Sequence, residues 1–388
     1  MALSKILNAS VTDSTLTGAK VASSTITGTN ISTATLPNLG RRNIVINGAM
    51  QVSQRVGTSS SSANNYDATP DRIRQEAYGG ASASFQQVTD APTGFKNSLK
   101  VTCAGTAAPS AGNTLRLMTG LEGQNVAQLA YGTAQAKTST LSFYVKASET
   151  GTYSAALVNI RPSGNITSNV TRSHIKTYTV NSANTWEYKT LTFPGCPDGT
   201  WGSSNSDGIT IVLDLGSGSN HQGSANTWLT TSDTFASGQV TLGDSNGGTW
   251  QITGLQFEVG SQATSFEHRS FGEEMQLCKR YYHRIQGSGK VMITKGHVYD
   301  ARGGLYSVDF PTQMRAAYAF SHSALSTLQF TYNANAAATP TATGLNESTS
   351  LDVGSLYILV GSNVTTAGYA CGYTTANGNG YIAFDAEL

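Results

Sequence analysis

Charge is what this 388-residue sequence has least of: 12% of its residues are Asp, Glu, Lys or Arg, and they leave a formal net charge of +1. A balance this close to neutral offers no electrostatic footprint for phosphate backbones. No Lys/Arg cluster is interleaved with aromatics as a single-stranded nucleic-acid groove requires, so nucleic acid is not an expected partner. Long apolar runs are missing as well. None could cross a bilayer, and residues 1–8, with one Lys and a short apolar stretch, lack the core of a secretory leader, so membrane insertion is not expected. Cysteine is scarce and unpatterned: Cys103, Cys196, Cys278 and Cys371 are far apart and form no CxxC or CxxH pair. That spacing points to neither a metal site nor a redox dithiol, and four buried free thiols are the reading.

Against these shortages stand 41 glycines and long stretches of Ser, Thr and Asn, a composition that favours short strands joined by tight turns. The length calls for several packed units. An all-β fold is therefore expected. Residues 140–146 alternate Leu141, Phe143 and Val145 against Ser142, Tyr144 and Lys146, the pattern of a half-buried strand. Residues 208–216 do the same, with Ile209, Ile211, Leu213 and Leu215 on one face and Thr210, Val212 and Asp214 on the other. Further strands are expected at 99–103, 153–160, 175–180, 188–193 and 250–259, a spacing that suggests a sandwich over residues 41–269. Trp186 and Trp250 begin strand patterns and are expected to be buried.

One helix is expected, over 270–285, because Phe271, Met275, Cys278, Tyr282 and Ile285 fall on one stripe. Ser270 and Glu273 make a capping box, Glu273 and Glu274 suit the first turn, and Lys279, Arg280 and Arg284 suit the last. These charges, with His268 and His283, read as the solvated face of an amphipathic helix. After this connector at 270–286, residues 287–388 read as a second β-rich unit, with short strands at 306–310, 356–360 and 381–384. Residues 323–350 carry no recognisable pattern and read either as a variable tip or as a plain surface loop.

At the other end, Ile6, Val11, Leu16, Val21, Ile26, Ile31 and Leu36 recur every fifth position, and the unit Ser-Thr-apolar-Thr-Gly appears at 14–18 and again at 24–28. A period of five is neither helical nor simple strand alternation. It resembles a tandem pentapeptide repeat, with each apolar residue turned to the axis of a β-helical coil. Seven units make too short a stack to be stable alone, so residues 1–40 are expected to dock on sister chains or on another protein.

The order of landmarks across residues 41–285 resembles a module of bacteriophage tail fibres. The landmarks are the run Arg42-Asn43-Ile44-Val45-Ile46-Asn47-Gly48 through Gln54-Arg55, which resembles that module's opening strand, then Asp71-Arg72-Ile73, residues 141–147, residues 250–260 and Leu277-Cys278-Lys279-Arg280-Tyr281-Tyr282. Phe310-Pro311 with Met314-Arg315, and the terminal Asp385-Ala386-Glu387-Leu388, are similar to features of fibre tips that carry it. Ile73 stands where the family has Trp, and Ser53 where an aromatic is frequent. The resemblance implies a jelly roll like that of carbohydrate-binding modules, carried on a virion and assembled in the host cytoplasm. It implies a homotrimer joined through its N-terminus to a tail adaptor or nozzle protein. The central or the distal unit, the latter a receptor-binding or trimerisation domain, would contact a host surface polysaccharide or an outer-membrane receptor.

A sugar site in such a fold needs flat aromatic faces and polar partners for hydroxyls. The loops supply Trp201 with Asp198 in the turn 197–202, and Trp228 after the polar stretch ending in Asn226; these four are the candidate glycan-binding residues. Each Trp is either a platform facing solvent or a core residue. No cofactor is indicated. The oxygen-rich groups Asn205, Asp207 and Asp214, or Asp244 and Asn246, are either a place for a structural calcium ion or, since they follow no calcium-binding spacing, solvated turns, which is the preferred reading. An enzyme is not expected: the 23 acidic residues present no spaced pair, and there is no GxSxG, HExxH or phosphate-binding Gly-rich loop. A tailspike that cleaves polysaccharide is the alternative from another class, and a purely structural tail or head fibre is a third.

Overall fold

The structure, a computed structural model, describes residues 41–62, 70–79, 82–105, 108–159, 171–288, 290–332, 336–346, 350–363, 367–376 and 379–387. The five-residue repeat at Ile6 to Leu36 lies outside the described residues. From Asn43 on, the described residues make one compact unit whose regular structure is almost wholly strand, so the all-β expectation holds. No helix among the described residues is long and apolar enough to cross a membrane.

Two antiparallel sheets face each other in the first half. One has six strands in the order Arg74–Tyr78, Thr114–Glu122, Asp207–Asp214, Gly151–Val158, Ser173–Val180, Trp228–Leu229. The other has five, in the order Ala83–Val88, Ser98–Cys103, Thr249–Val259, Ser139–Ala147, Glu187–Phe193. The alternation read from the sequence sets which side chains point between them: Leu141, Phe143, Val145, Ile209, Ile211, Leu213 and Trp250 all enter one core. Trp250 is buried as expected, and so are the four free cysteines. Burial pushes the Cys103 thiol up to about 12, which keeps it a small apolar filler.

The second half builds a smaller core. A seven-stranded sheet runs in the order Ala336–Ala338, Leu328–Tyr332, Ala370–Thr375, Met292–Asp300, Gly303–Asp309, Val353–Leu359, Ala342–Leu345. A three-stranded sheet joins Tyr282–Ser288, Asn379–Asp385 and Ala319–His322. Tyr306, Phe330, Leu356, Ile358, Tyr373, Ile382 and Phe384 fill this second core.

Several sequence expectations are corrected. Residues 323–350 are not a plain loop: the strands Ala336–Ala338 and Ala342–Leu345 form the two edges of the seven-stranded sheet, and Leu328–Tyr332 is the strand beside the first. The run 42–55 is not a strand but a buried irregular segment, in which Asn47 (φ 60°) and Met50 (φ 54°) adopt left-handed backbone. The Asn47 amide caps that turn by donating to the carbonyls of Val52 and Asp71, both at 2.8 Å. The helix is shorter than its periodicity suggests. It spans Phe271–Lys279, with the Ser270 hydroxyl accepting from the Glu273 amide as its N-cap. Tyr282 and Ile285 belong instead to a strand paired with Asn379–Asp385, so long-range pairing overrides local periodicity. Its charges are not all solvated. Glu274 is buried and accepts from the Asn47 amide at 2.6 Å, and His283 is buried in the second core, where desolvation pushes its pKa down to about 4.

The remaining landmarks meet at a joint between the two cores. Arg55 binds Asp385 at 2.7 Å and Glu387 at 3.4 Å while its guanidinium lies 3.7 Å above the Tyr282 ring. Arg72 pairs with Glu387 and stacks 3.4 Å over Tyr281. Arg280 grips Glu122 with two nitrogens, at 2.8 and 2.9 Å, and the Tyr281 hydroxyl donates to the same carboxylate. Arg315 donates to the carbonyls of Asn205, Ala386 and Glu387. Burial opposes ionisation of Glu122, but the bonds from Arg280 and Tyr281 outweigh it and hold the carboxyl below its usual range. Several of the residues that carry the fibre resemblance, Arg55, Arg72, Arg280, Tyr281, Tyr282, Arg315, Asp385 and Glu387, are thus residues of an internal joint.

Candidate functional site

The two outer faces of the sandwich differ. On the six-stranded sheet the outward positions Met118, Ala156, Val158, Ile175 and Val212 are apolar, and the chain covers them with Ala225, Leu229 and Ala236. Asp214, read as part of a solvated turn, anchors this cover. It is fully buried and accepts from the amides of Gly216 and Ser217 and from the hydroxyls of Ser217 and Thr234, at 2.8 to 3.0 Å. Asp207 and Asp214 end the same eight-residue strand, roughly 23 Å apart at the usual rise, and Asn205 is bonded to Arg315, so these three cannot share a cation. Asp244 and Asn246 do lie in an exposed turn. Among the described residues no group of three His, Cys, Asp or Glu is placed to hold a metal ion.

The outer face of the five-stranded sheet is covered at one end by residues 260–267, which bond Thr140, Gln256 and Glu258, and is partly exposed and aromatic at Tyr144 and Tyr188. The inward direction of Leu141, Phe143 and Val145 forces Ser142, Tyr144 and Lys146 outward. The register then places Thr253, Tyr144 and Tyr188 in one row across three strands. Tyr144 and Tyr188 have ring centroids 5.0 Å apart, and Tyr188 is 45% exposed. A β-bulge between Thr253 and Gln256 puts Gly254 in left-handed backbone (φ 65°). A Cβ there would meet the Phe95 ring at 2.8 Å, so the glycine lets Phe95 lie across the strand. Phe95 packs 5.5 Å from Tyr144 and 5.0 Å from Phe266.

One end of this row is polar. Asp90 receives the Lys146 ammonium, the Gln251 amide at 3.2 Å and the Trp186 indole N–H at 3.3 Å, and Lys146 sits 5.5 Å above the Trp186 ring. The Lys146 hydrogen bond is the main cause that holds the Asp90 carboxyl below its usual range. Trp186 is therefore half-buried on the outer face, not in the core, because its N–H and its ring face both have partners there. The face combines partly exposed rings with a carboxylate, an amide and an ammonium, the chemistry that stacks on the apolar side of a pyranose and bonds its hydroxyls.

The four residues chosen from the sequence lie elsewhere. Trp201 and Trp228 meet nearly at right angles, 5.7 Å apart, with Tyr131 at 4.9 and 5.8 Å and His174 at 5.0 Å from Trp228. Both indoles are half-buried against the sandwich core. The Trp201 N–H donates to the Asp198 carbonyl at 2.9 Å. The Asp198 carboxylate is held by Arg172 through two bonds, at 2.7 and 3.0 Å, and that pairing lowers its pKa. Asn226 is an exposed turn residue in left-handed backbone, and its amide donates to the Ile175 carbonyl. The structure thus brings Trp201, Trp228 and Asp198 together in an aromatic plug and leaves Asn226 to shape the turn before it. Sequence reasoning passed over Tyr144, Tyr188, Phe95 and Phe266. The signal for the first was present in the alternation of 140–146, whereas the phenylalanines come from loops without periodicity.

No family model matches the sequence, and no curated protein matches it. Solved structures do. A sugar-binding protein described as putative from Bacteroides thetaiotaomicron aligns over 56% of this chain and 100% of its own, at 12% identity and a TM-score of 0.32. The enzymatically active domain of tailspike protein 4 of bacteriophage CBA120 aligns over 56% of this chain and 21% of its own, at 12% identity and 0.28. A family 11 carbohydrate-binding module of a Clostridium thermocellum cellulase aligns over 53% and 98%, at 11% identity and 0.26. Scores this low carry no argument about function.

Proposed function

We propose that this protein is a non-catalytic attachment protein of a virus particle, a phage tail fibre that binds a surface glycan of its host on the outer face of the five-stranded sheet. The observation that carries the glycan reading is the partly exposed row of Tyr188, Tyr144, Phe95 and Phe266 beside the polar group of Asp90, Lys146 and Gln251. The virion reading rests on the sequence: the order of landmarks and the five-residue repeat at the N-terminus, which suits a homotrimer docked on a tail adaptor. Hydrolysis would need a free carboxylate pair across a groove. Asp385 and Glu387, which do lie close, are held by Arg55 and Arg72.

Binding of the full chain to host cells and to a glycan panel, with oligomeric state followed by light scattering, tests this. Saturable binding that competes with infection and falls at least about tenfold in the Tyr144→Ala/Tyr188→Ala variant is expected. Unchanged binding in that variant would remove the proposed face. One observation favours a second reading, a structural fibre of tail or head: several of the landmarks serve an internal joint. A folded trimer that binds no host cell would support it.

A further inference from the structure

An open groove of about 450 Å³ lies on the seven-stranded sheet, a size within the range of small-molecule sites. Its floor is the strand Ala370–Thr375 between Met292–Asp300 and Leu328–Tyr332. Gly372 makes the hollow. A Cβ there would stand 2.4 Å from the Thr331 hydroxyl and 2.9 Å from the Met292 sulfur, so any other residue fills the space. Tyr332, Met292 and Ala337 give the walls an apolar character.

Two features point to what the groove takes. Lys290 and Lys295 both line it and are exposed; neither meets a carboxylate among the described residues, and none of the lining side chains is acidic. The positive charge is unopposed. Thr374, also in the lining, is 6% exposed and its hydroxyl has no hydrogen-bond partner. Its cross-strand neighbour Gln329 has an unpartnered side-chain carbonyl. Buried hydroxyls are normally bonded, and leaving one unmade costs on the order of 1 kcal/mol or more, so the Thr374 hydroxyl at the groove wall is a waiting partner for a ligand hydroxyl.

We propose that this groove is a second saccharide site, distinct from the sandwich face, and that it takes an anionic pyranose: a uronic acid unit whose carboxylate meets Lys290 and Lys295, whose hydroxyl bonds Thr374, and whose apolar face rests on Met292 and Ala337. The lysines select the charge, and the unpartnered hydroxyl together with the apolar walls selects a sugar over a bare anion.

Calorimetric titration of the full chain with sodium galacturonate and oligogalacturonate, beside glucose and inorganic phosphate, tests it. Galacturonate is expected to bind saturably, glucose at least about tenfold more weakly, and binding is expected to weaken as salt rises. Lys290→Gln/Lys295→Gln is expected to lower galacturonate affinity at least about tenfold with the melting temperature unchanged, since both side chains are exposed. Thr374→Val is expected to lower affinity severalfold without loss of stability, because its hydroxyl makes no bond in the free protein. Tyr144→Ala/Tyr188→Ala leaves this binding intact, which separates it from the face proposed above. Absence of galacturonate binding, full affinity in the lysine variant, or phosphate bound as tightly as galacturonate would each overturn the assignment.

Discussion

The two outer faces of the sandwich differ in residues at equivalent outward positions, and that difference decides how each is covered and which keeps rings in solvent. The six-stranded sheet places Met118, Ala156, Val158, Ile175 and Val212 outward, and the protein covers them with its own chain. The five-stranded sheet places Thr140, Ser142, Tyr144, Lys146 and Gln251 outward; residues 260–267 cover one end of it through polar bonds, and Tyr144, Lys146 and Tyr188 stay partly exposed. An apolar outward row must be buried at a favourable ~25 cal/mol per Å², whereas an outward row of hydroxyls and amides takes a polar cover that bonds it and leaves its tyrosines partly in water, where a ligand reaches them. Architecture alone does not say where a sandwich binds; outward chemistry does.

Removing the anchor of the cover has the largest expected effect. Asp214→Ala leaves four donors unpartnered in a buried place and is expected to cost about 3–5 kcal/mol in urea denaturation, with faster amide exchange over residues 217–240. A loss below about 1 kcal/mol would mean that the cover is held by its apolar contacts alone. Met118→Ala, beneath the same cover, is expected to cost about 3 kcal/mol through transfer and cavity terms.

Acid sharpens the comparison from inside. His174, on the covered sheet, is fully buried with both ring nitrogens unpartnered, and desolvation lowers its pKa from 6.5 to about 4. A base with a depressed folded pKa binds more protons when unfolded. Its contribution is therefore complete above about pH 6.5 and is lost as pH falls towards 4, on the order of 3 kcal/mol. Stability measured between pH 7 and 4 should decline, and His174→Phe should flatten that decline; an unchanged slope in the variant counts against this origin. The smallest stability effect is expected on the open face. Tyr188→Ala should change unfolding free energy by less than about 1 kcal/mol while weakening glycan binding about tenfold, and a variant that unfolds instead would assign Tyr188 to packing.

Much of the fold was legible in the sequence because strand alternation is local. Residues 140–146 and 208–216 state their own inward faces, and Trp250 fell where its pattern put it. What escaped was set by distant contacts. Residues 217–240 carry no periodicity, since their few apolar residues answer to the sheet beneath and not to one another. The stripe that ended at Ile285 was helical in spacing, yet pairing with Asn379–Asp385 claimed its last turns. The open face was half visible: Tyr144 stood among polar outward residues, but Phe95 and Phe266 reach it from loops through a bulge at Gly254. Trp201 and Trp228 drew notice as rare aromatics in polar turns, and the same polar surroundings concealed that they pack on each other.

The joint between the cores also fixes an order in time. Arg55 and Asp385 are 330 residues apart in the chain, and closing a loop of that length costs about 5 kcal/mol of entropy before any contact repays it. Contacts of such separation form late, after both cores have condensed around nearer neighbours. Refolding should therefore show a final slow phase that Arg55→Ala alters and Met118→Ala does not, so that assembly of the sandwich and docking of its partner sheets separate as two events on the clock.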